Sequence, residues 1–93
     1  MSVELERLTL RAVRDAWEDT NATFFGRRLR RPVLALLDGM GPLGRWSSPE
    51  RTMWLSRELL VMHSWGVVTE VLKHEMAHQY VDEVLRLSHE AAH

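Results

Sequence analysis

From residue 3 to about residue 20 the apolar positions recur at helical spacing: Leu10, Val13 and Trp17 fall at i, i+3 and i+7, with Leu5, Leu8 and Ala12 beside them. Glu4, Arg7, Arg11, Arg14 and Glu18 occupy positions between, so the pattern predicts an amphipathic helix, with Ser2 placed to cap its first turn. Asn21 and Gly26 interrupt that period. Pro32, which has no backbone donor, precedes the aliphatic run Val33-Leu34-Ala35-Leu36-Leu37, which reads as a strand. Gly39, Gly41, Pro42 and Gly44 force a turn. Arg45-Trp46-Ser47 and Thr52-Met53-Trp54-Leu55 then flank a second turn at Ser48-Pro49-Glu50. The middle of the chain is expected to be a small antiparallel sheet.

Beyond it, Ser56 can cap a short helix through about residue 62, and Ser64 a longer one over about 66 to 87. Two rows of the longer helix are apolar. One reads Val67, Val71, His74, His78, Val81, Leu85, and the other Val68, Leu72, Met76, Tyr80, Val84. A helix apolar on two sides is expected to lie buried between layers, histidines included, leaving Glu70, Lys73, Glu83 and Arg86 wetter. The predicted fold class is α+β in a single domain over 1–93: an N-terminal helix, a small antiparallel sheet, then the long helix that carries His74 and His78 and a C-terminal segment.

Composition narrows the function classes. The 93 residues are 45% apolar and 27% charged, too hydrophobic for a disordered chain. No aliphatic run approaches the roughly eighteen residues that cross a bilayer, so no membrane association is expected. The first residues lack a basic segment leading into an apolar one, which makes a cytoplasmic location the expectation. There is no cysteine, so disulfides and thiolate metal sites are excluded and histidine and carboxylate remain as ligands. The net charge of −1 lacks the overall basic excess of a nucleic-acid binder. The local cluster Arg27-Arg28-Leu29-Arg30-Arg31 reads as a solvated edge with only a hint of phosphate binding, and Trp17, Trp46, Trp54 and Trp65 read as core.

The candidate chemistry lies in His74-Glu75-Met76-Ala77-His78, an HExxH string. Histidines four apart on a helix share a face, with Cβ atoms roughly 5–6 Å apart, so both imidazoles can reach one zinc at about 2.0–2.1 Å. Glu75, beside the first ligand, can be aimed at the nucleophilic water and is the candidate general base. Catalytic zinc commonly takes a third protein ligand. The extended metzincin form is excluded, because Val81 and Val84 stand where it needs glycine and histidine. Asp82 and Glu83 are too close along the same helix to swing round, which favours His89, Glu90 or His93 after a turn.

Leu72 to Tyr80, together with Ala92-His93 fifteen positions beyond His78, resembles the SprT-like zinc metalloprotease family, which includes the Spartan proteases of DNA-protein crosslinks. The likeness extends upstream through Asn21, Phe24-Phe25-Gly26 and Leu29, then Leu43-Gly44-Arg45-Trp46, then Trp54-Leu55-Ser56. It implies zinc as cofactor, His74, His78 and His93 as its ligands, and Glu75 as the catalytic base. His89, or Glu90 in a His2Glu site, is the alternative third ligand. The glycine that ordinarily follows the family's third histidine would fall past His93, so an excised core and an abbreviated domain are both expectations. The resemblance also implies a protein or peptide substrate, with DNA as a candidate partner. The oligomeric state is left open.

The expected activity is peptide hydrolysis, with an extended substrate added to a sheet edge near Thr52 to Ser56. The rival expectation is a non-enzymatic module, in which zinc staples a small fold that docks on DNA or protein.

Overall fold

A computed structural model describes residues 2–86. The three serine caps are formed as the sequence predicts. Ser2 Oγ accepts from the Leu5 amide at 3.1 Å and opens α1 (Val3–Phe24). Ser56 Oγ accepts from Leu59 at 2.8 Å and opens α2 (Arg57–Met62). Ser64 Oγ accepts from Val67 at 3.4 Å and opens α3 (Trp65–Tyr80). α1 runs a turn past the expected end, then breaks at Gly26 and Arg27, whose φ angles of 59° and 60° leave the helical region. α3 continues into a π-helical turn, Val81–Leu85.

Three strands, β1 (Val33–Leu37), β2 (Gly44–Ser47) and β3 (Thr52–Ser56), form one sheet in the order β1-β3-β2. The sheet is mixed, and this corrects the antiparallel expectation. β2 and β3 form the predicted antiparallel hairpin, but β1 runs parallel to β3, with Val33 beside Thr52 and Leu37 beside Ser56. Residue alternation is the same for either strand direction, so pattern alone could not separate them. Residues 38–51 supply a crossover long enough for parallel pairing, and β2 itself is part of it. The α+β class stands.

α1, α3 and the sheet enclose the core: Val13 and Trp17 from α1, Leu29, Met53 and Leu55 from β3, Leu59, and Val68, Leu72 and Met76 from α3. β3 is buried because it is paired on both sides. Arg57 joins α1 to the sheet through Glu6 and, at 2.7 Å, Asp38, and the Glu6 hydrogen bond is the main cause that raises its guanidinium above the ordinary arginine value.

Asn21 does more than end a helical pattern. Its buried amide donates to the Leu29 carbonyl at 2.9 Å and accepts from the Leu29 amide at 3.1 Å, pinning the segment after α1 to the helix. Asn21→Ala would leave both backbone groups unpaired, a loss of about 1–3 kcal/mol. Urea denaturation measures it, and an unchanged midpoint would contradict that role.

Candidate metal centre

His74 and His78 lie on the same face of α3, one turn apart. Their Nε2 atoms are 3.3 Å apart, and the rings meet edge to face with centroids at 4.9 Å. Two nitrogens each about 2.0–2.1 Å from a tetrahedral zinc stand about 3.3–3.4 Å from one another, so the pair fits the donor geometry of that ion. The same separation allows a hydrogen bond between two neutral rings of suitable tautomer. No cluster of three or more histidine, aspartate or glutamate side chains suited to a metal occurs among the described residues. His89, Glu90 and His93, the candidates for third ligand, lie outside those residues.

The face that carries the histidines is the exposed one, contrary to the buried helix expected from sequence. Val67, His74, His78, Val81 and Leu85 are exposed and only Val71 is half-buried, while Val68, Leu72, Met76 and Gln79 turn inward. The sheet, α1 and α2 cover one stripe of α3, so among the described residues the row that carries the histidines stays uncovered. Exposure suits a site that must admit a ligand.

Glu75 occupies the border between the two faces and is 7% exposed. It packs against β2 at Gly44, where a β-carbon would come within 2.8 Å of Val71 Cγ1, 3.1 Å of Glu75 Cγ and 3.4 Å of Glu75 Oε2. The missing side chain lets strand and helix approach. No cation or hydrogen-bond donor among the described residues holds the Glu75 carboxylate, which leaves its oxygens available to a ligand.

Two openings flank this contact. One, of about 410 Å³, is bordered by Gly44, Trp46, Glu75, His78 and Asp82. The other, of about 480 Å³, is bordered by Leu43, Gly44, Glu70, Val71, His74 and Glu75. Together they make a shallow cleft along β2 with Glu75 at its centre. Trp46 Nε1 donates to Asp82 at 2.8 Å and Arg51 Nε donates to Glu83 at 2.8 Å, so the sheet grips the π-helical turn that follows His78. Asp82 is engaged by Trp46 and, at 3.2 Å, by Arg86, a positioning role that has no signal in the sequence. Gly44 is visible there only as a turn residue.

β2, not β3, is the strand edge at this cleft. The expected substrate edge at Thr52 to Ser56 is therefore corrected: β3 is the central strand, with both sides paired. The Ser56 amide bonds to the Leu43 carbonyl at 2.9 Å, so by alternation Gly44 and Trp46 turn their N–H and C=O groups to the open side.

The remaining expectations divide. Trp17 is buried, but Trp46 and Trp54 are half-buried and Trp65 is 46% exposed, so four core indoles is too many. The basic cluster is exposed, as expected of a solvated edge: Arg31 pairs with Glu18, and Arg28 donates to the Tyr80 hydroxyl at 3.0 Å. Tyr80 packs on Phe25 at 5.5 Å, away from the histidines.

Comparison with protein-family models, curated proteins and solved structures gives no significant match for this chain. Among the described residues no helix is long and apolar enough to cross a membrane.

Zinc added to metal-free protein is expected to raise the melting temperature, by the equivalent of about 2.7 kcal/mol at a hundredfold excess over Kd. His74→Ala and His78→Ala should each remove that rise. Equal melting temperatures with and without zinc would contradict the site.

Proposed function

We propose that this chain is a zinc-dependent endopeptidase, with His74 and His78 as two of the metal's ligands and Glu75 as general base. The third ligand is assigned to His93 on the family resemblance. The observation that carries the reading is the pair of exposed imidazoles with the unengaged, largely buried Glu75 carboxylate at the border of their helix face, beside a strand edge that no described residue pairs. A metal that only stapled the fold would have all its positions filled by protein ligands, whereas the enzyme reading needs one left for water or substrate.

Zinc bound at these residues would polarise a peptide carbonyl and make water a competent nucleophile near neutral pH. The chain's own groups do the rest. An extended substrate laid along β2 exchanges main-chain hydrogen bonds with Gly44 and Trp46, which places its backbone beside Glu75 with little demand on side-chain identity. Glu75 takes a proton from the attacking water as the oxygen bonds to the carbonyl carbon. It returns the proton to the amine nitrogen as the C–N bond breaks. Gly44 keeps the substrate strand close to the base, and the Trp46 to Asp82 hydrogen bond holds the strand in register with the helix.

DNA-associated proteins are the substrate class the resemblance points to. The cluster Arg27, Arg28, Arg30 and Arg31 is exposed throughout, and of its charges Arg31 is paired, with Glu18, so the others are the cations offered toward DNA. Incubation of the zinc-loaded protein with an unfolded polypeptide such as casein tests the reading. Cleavage that stops with a zinc chelator and resumes on zinc addition is expected. A protein that binds zinc and leaves unfolded polypeptides intact, with and without DNA, would overturn it.

A further inference from the structure

β1 is the other free edge of the sheet, and its chemistry is unlike that of β2. It reads Val33-Leu34-Ala35-Leu36-Leu37 without a charge, and no described residue pairs with its outer side. Edge strands in folded proteins are ordinarily blunted by charges, bulges or prolines within the strand, because an apolar edge with unpaired amides is a template for another strand. Pro32 stands just before β1, and Val33 is 60% exposed.

We propose that this edge pairs with β1 of a second copy of the chain, antiparallel and centred on Ala35, to make a six-stranded sheet in the order β2-β3-β1-β1-β3-β2. The Val33 amide bonds to the Arg51 carbonyl at 3.0 Å, so Val33, Ala35 and Leu37 direct their backbone groups to β3, and Leu34 and Leu36 direct theirs outward. Centring on Ala35 sets Leu34 of each copy opposite Leu36 of the other. Each such pair exchanges two hydrogen bonds, and all outward groups of the strand are satisfied. Like faces also meet: Val33 lies opposite Leu37, on the sheet face that carries Ala35 and Trp54, while Leu34 and Leu36 lie on the core side.

Charge selects this register. It brings Asp38 of each copy opposite Pro32 and next to Arg31 of the other, at both ends of the pair. Both side chains are open to such a contact, being 74% and 75% exposed despite their own partners Arg57 and Glu18. A slip of two residues one way sets Leu36 opposite Pro32, which has no amide to give. A slip of two the other way sets Arg31 opposite Gly41 and separates the charges. A slip of one turns core-side residues onto the solvent face. Both β2 edges, and the clefts beside them, stay open at the far ends of the joined sheet.

The strand pair is short, so a reversible dimer is expected. Sedimentation equilibrium from low micromolar to millimolar concentration should show the mass of the intact chain rising toward twice the monomer value. At the two-fold axis the two Ala35 residues form a non-hydrogen-bonded pair, where side chains are closest. Ala35→Lys and Ala35→Glu should each be monomeric over the same range, and an equimolar mixture should recover the two-chain species. Ala35→Cys gives a chain with a single thiol, since the sequence has no cysteine. The ~4.5 Å between paired Cα atoms lies within the ~4.4–6.8 Å of disulfides, so mild oxidation should link it into a dimer that Thr23→Cys, with its thiol on the exposed side of α1, does not form. A wild type that stays monomeric at millimolar concentration would overturn the proposal, and so would charge variants that dimerise as wild type does. An extended peptide from another protein as the true occupant of the edge would give the first of those results.

Discussion

Glu75→Gln is expected to lower peptide hydrolysis by about a hundred- to ten-thousand-fold, the usual contribution of a positioned general base, with zinc content and melting temperature unchanged. Glutamine has nearly the same shape as glutamate, so it can occupy the space between α3 and Gly44 without a new cavity. What it loses is the ability to take the water's proton. The expected result is therefore a fall in kcat at nearly constant KM, since in the proposed reading the substrate backbone is held by β2. Circular dichroism and bound zinc, measured on the same preparation, separate a lost base from a lost fold. Wild-type turnover in Glu75→Gln would remove the base assignment while leaving the metal site standing.

Gly44→Ala carries the second large effect. The added β-carbon would meet Val71 Cγ1 at 2.8 Å and Glu75 Cγ at 3.1 Å, and valine is stiff at its only side-chain torsion, so it has no easy way to yield. β2 must then move off α3, the helix must shift, or both. Overpacking of this kind costs about 1–3 kcal/mol. The same displacement would carry the proposed substrate edge away from Glu75, so turnover should fall by more than the loss of folded protein explains. Val71→Ala in the Gly44→Ala background vacates the space the methyl needs and should restore part of both quantities. A Gly44→Ala protein with unchanged stability and activity would mean that the close approach of strand and helix does not matter to either.

Much of the fold is legible in the chain because local chemistry decides it. The three serines that precede α1, α2 and α3 are each followed at three residues by the amide they cap, and the helical period of Leu10, Val13 and Trp17 shows which side of α1 is covered. The strand positions follow from turn residues and alternation. The direction of β1 does not, because a strand's pattern is the same read either way and only the crossover through β2 decides the pairing. The exposed face of α3 is hidden from the sequence for a related reason. Periodicity shows two apolar rows, but which row is covered depends on how much sheet is available to cover them.

The candidate site divides along the same line. His74, Glu75 and His78 are local, and spacing alone brings the imidazoles within reach of one ion. Gly44, Trp46 and Asp82 act through contacts between distant segments: a glycine that admits a neighbour resembles any turn glycine until the neighbour is seen, and the Trp46 to Asp82 bond spans 36 positions. The edge that faces the cleft belongs to β2 rather than to the expected strand for the same reason, since strand order is a property of the whole sheet.

Anomalous diffraction at the zinc edge, from crystals grown with zinc at neutral pH, is the most direct measurement of the metal assignment on which the proposed chemistry depends. The expected result is one peak about 2.0–2.1 Å from Nε2 of both His74 and His78, on the side open to the β2 cleft. A map with no peak there, and with the two rings hydrogen-bonded to each other in its place, would contradict it.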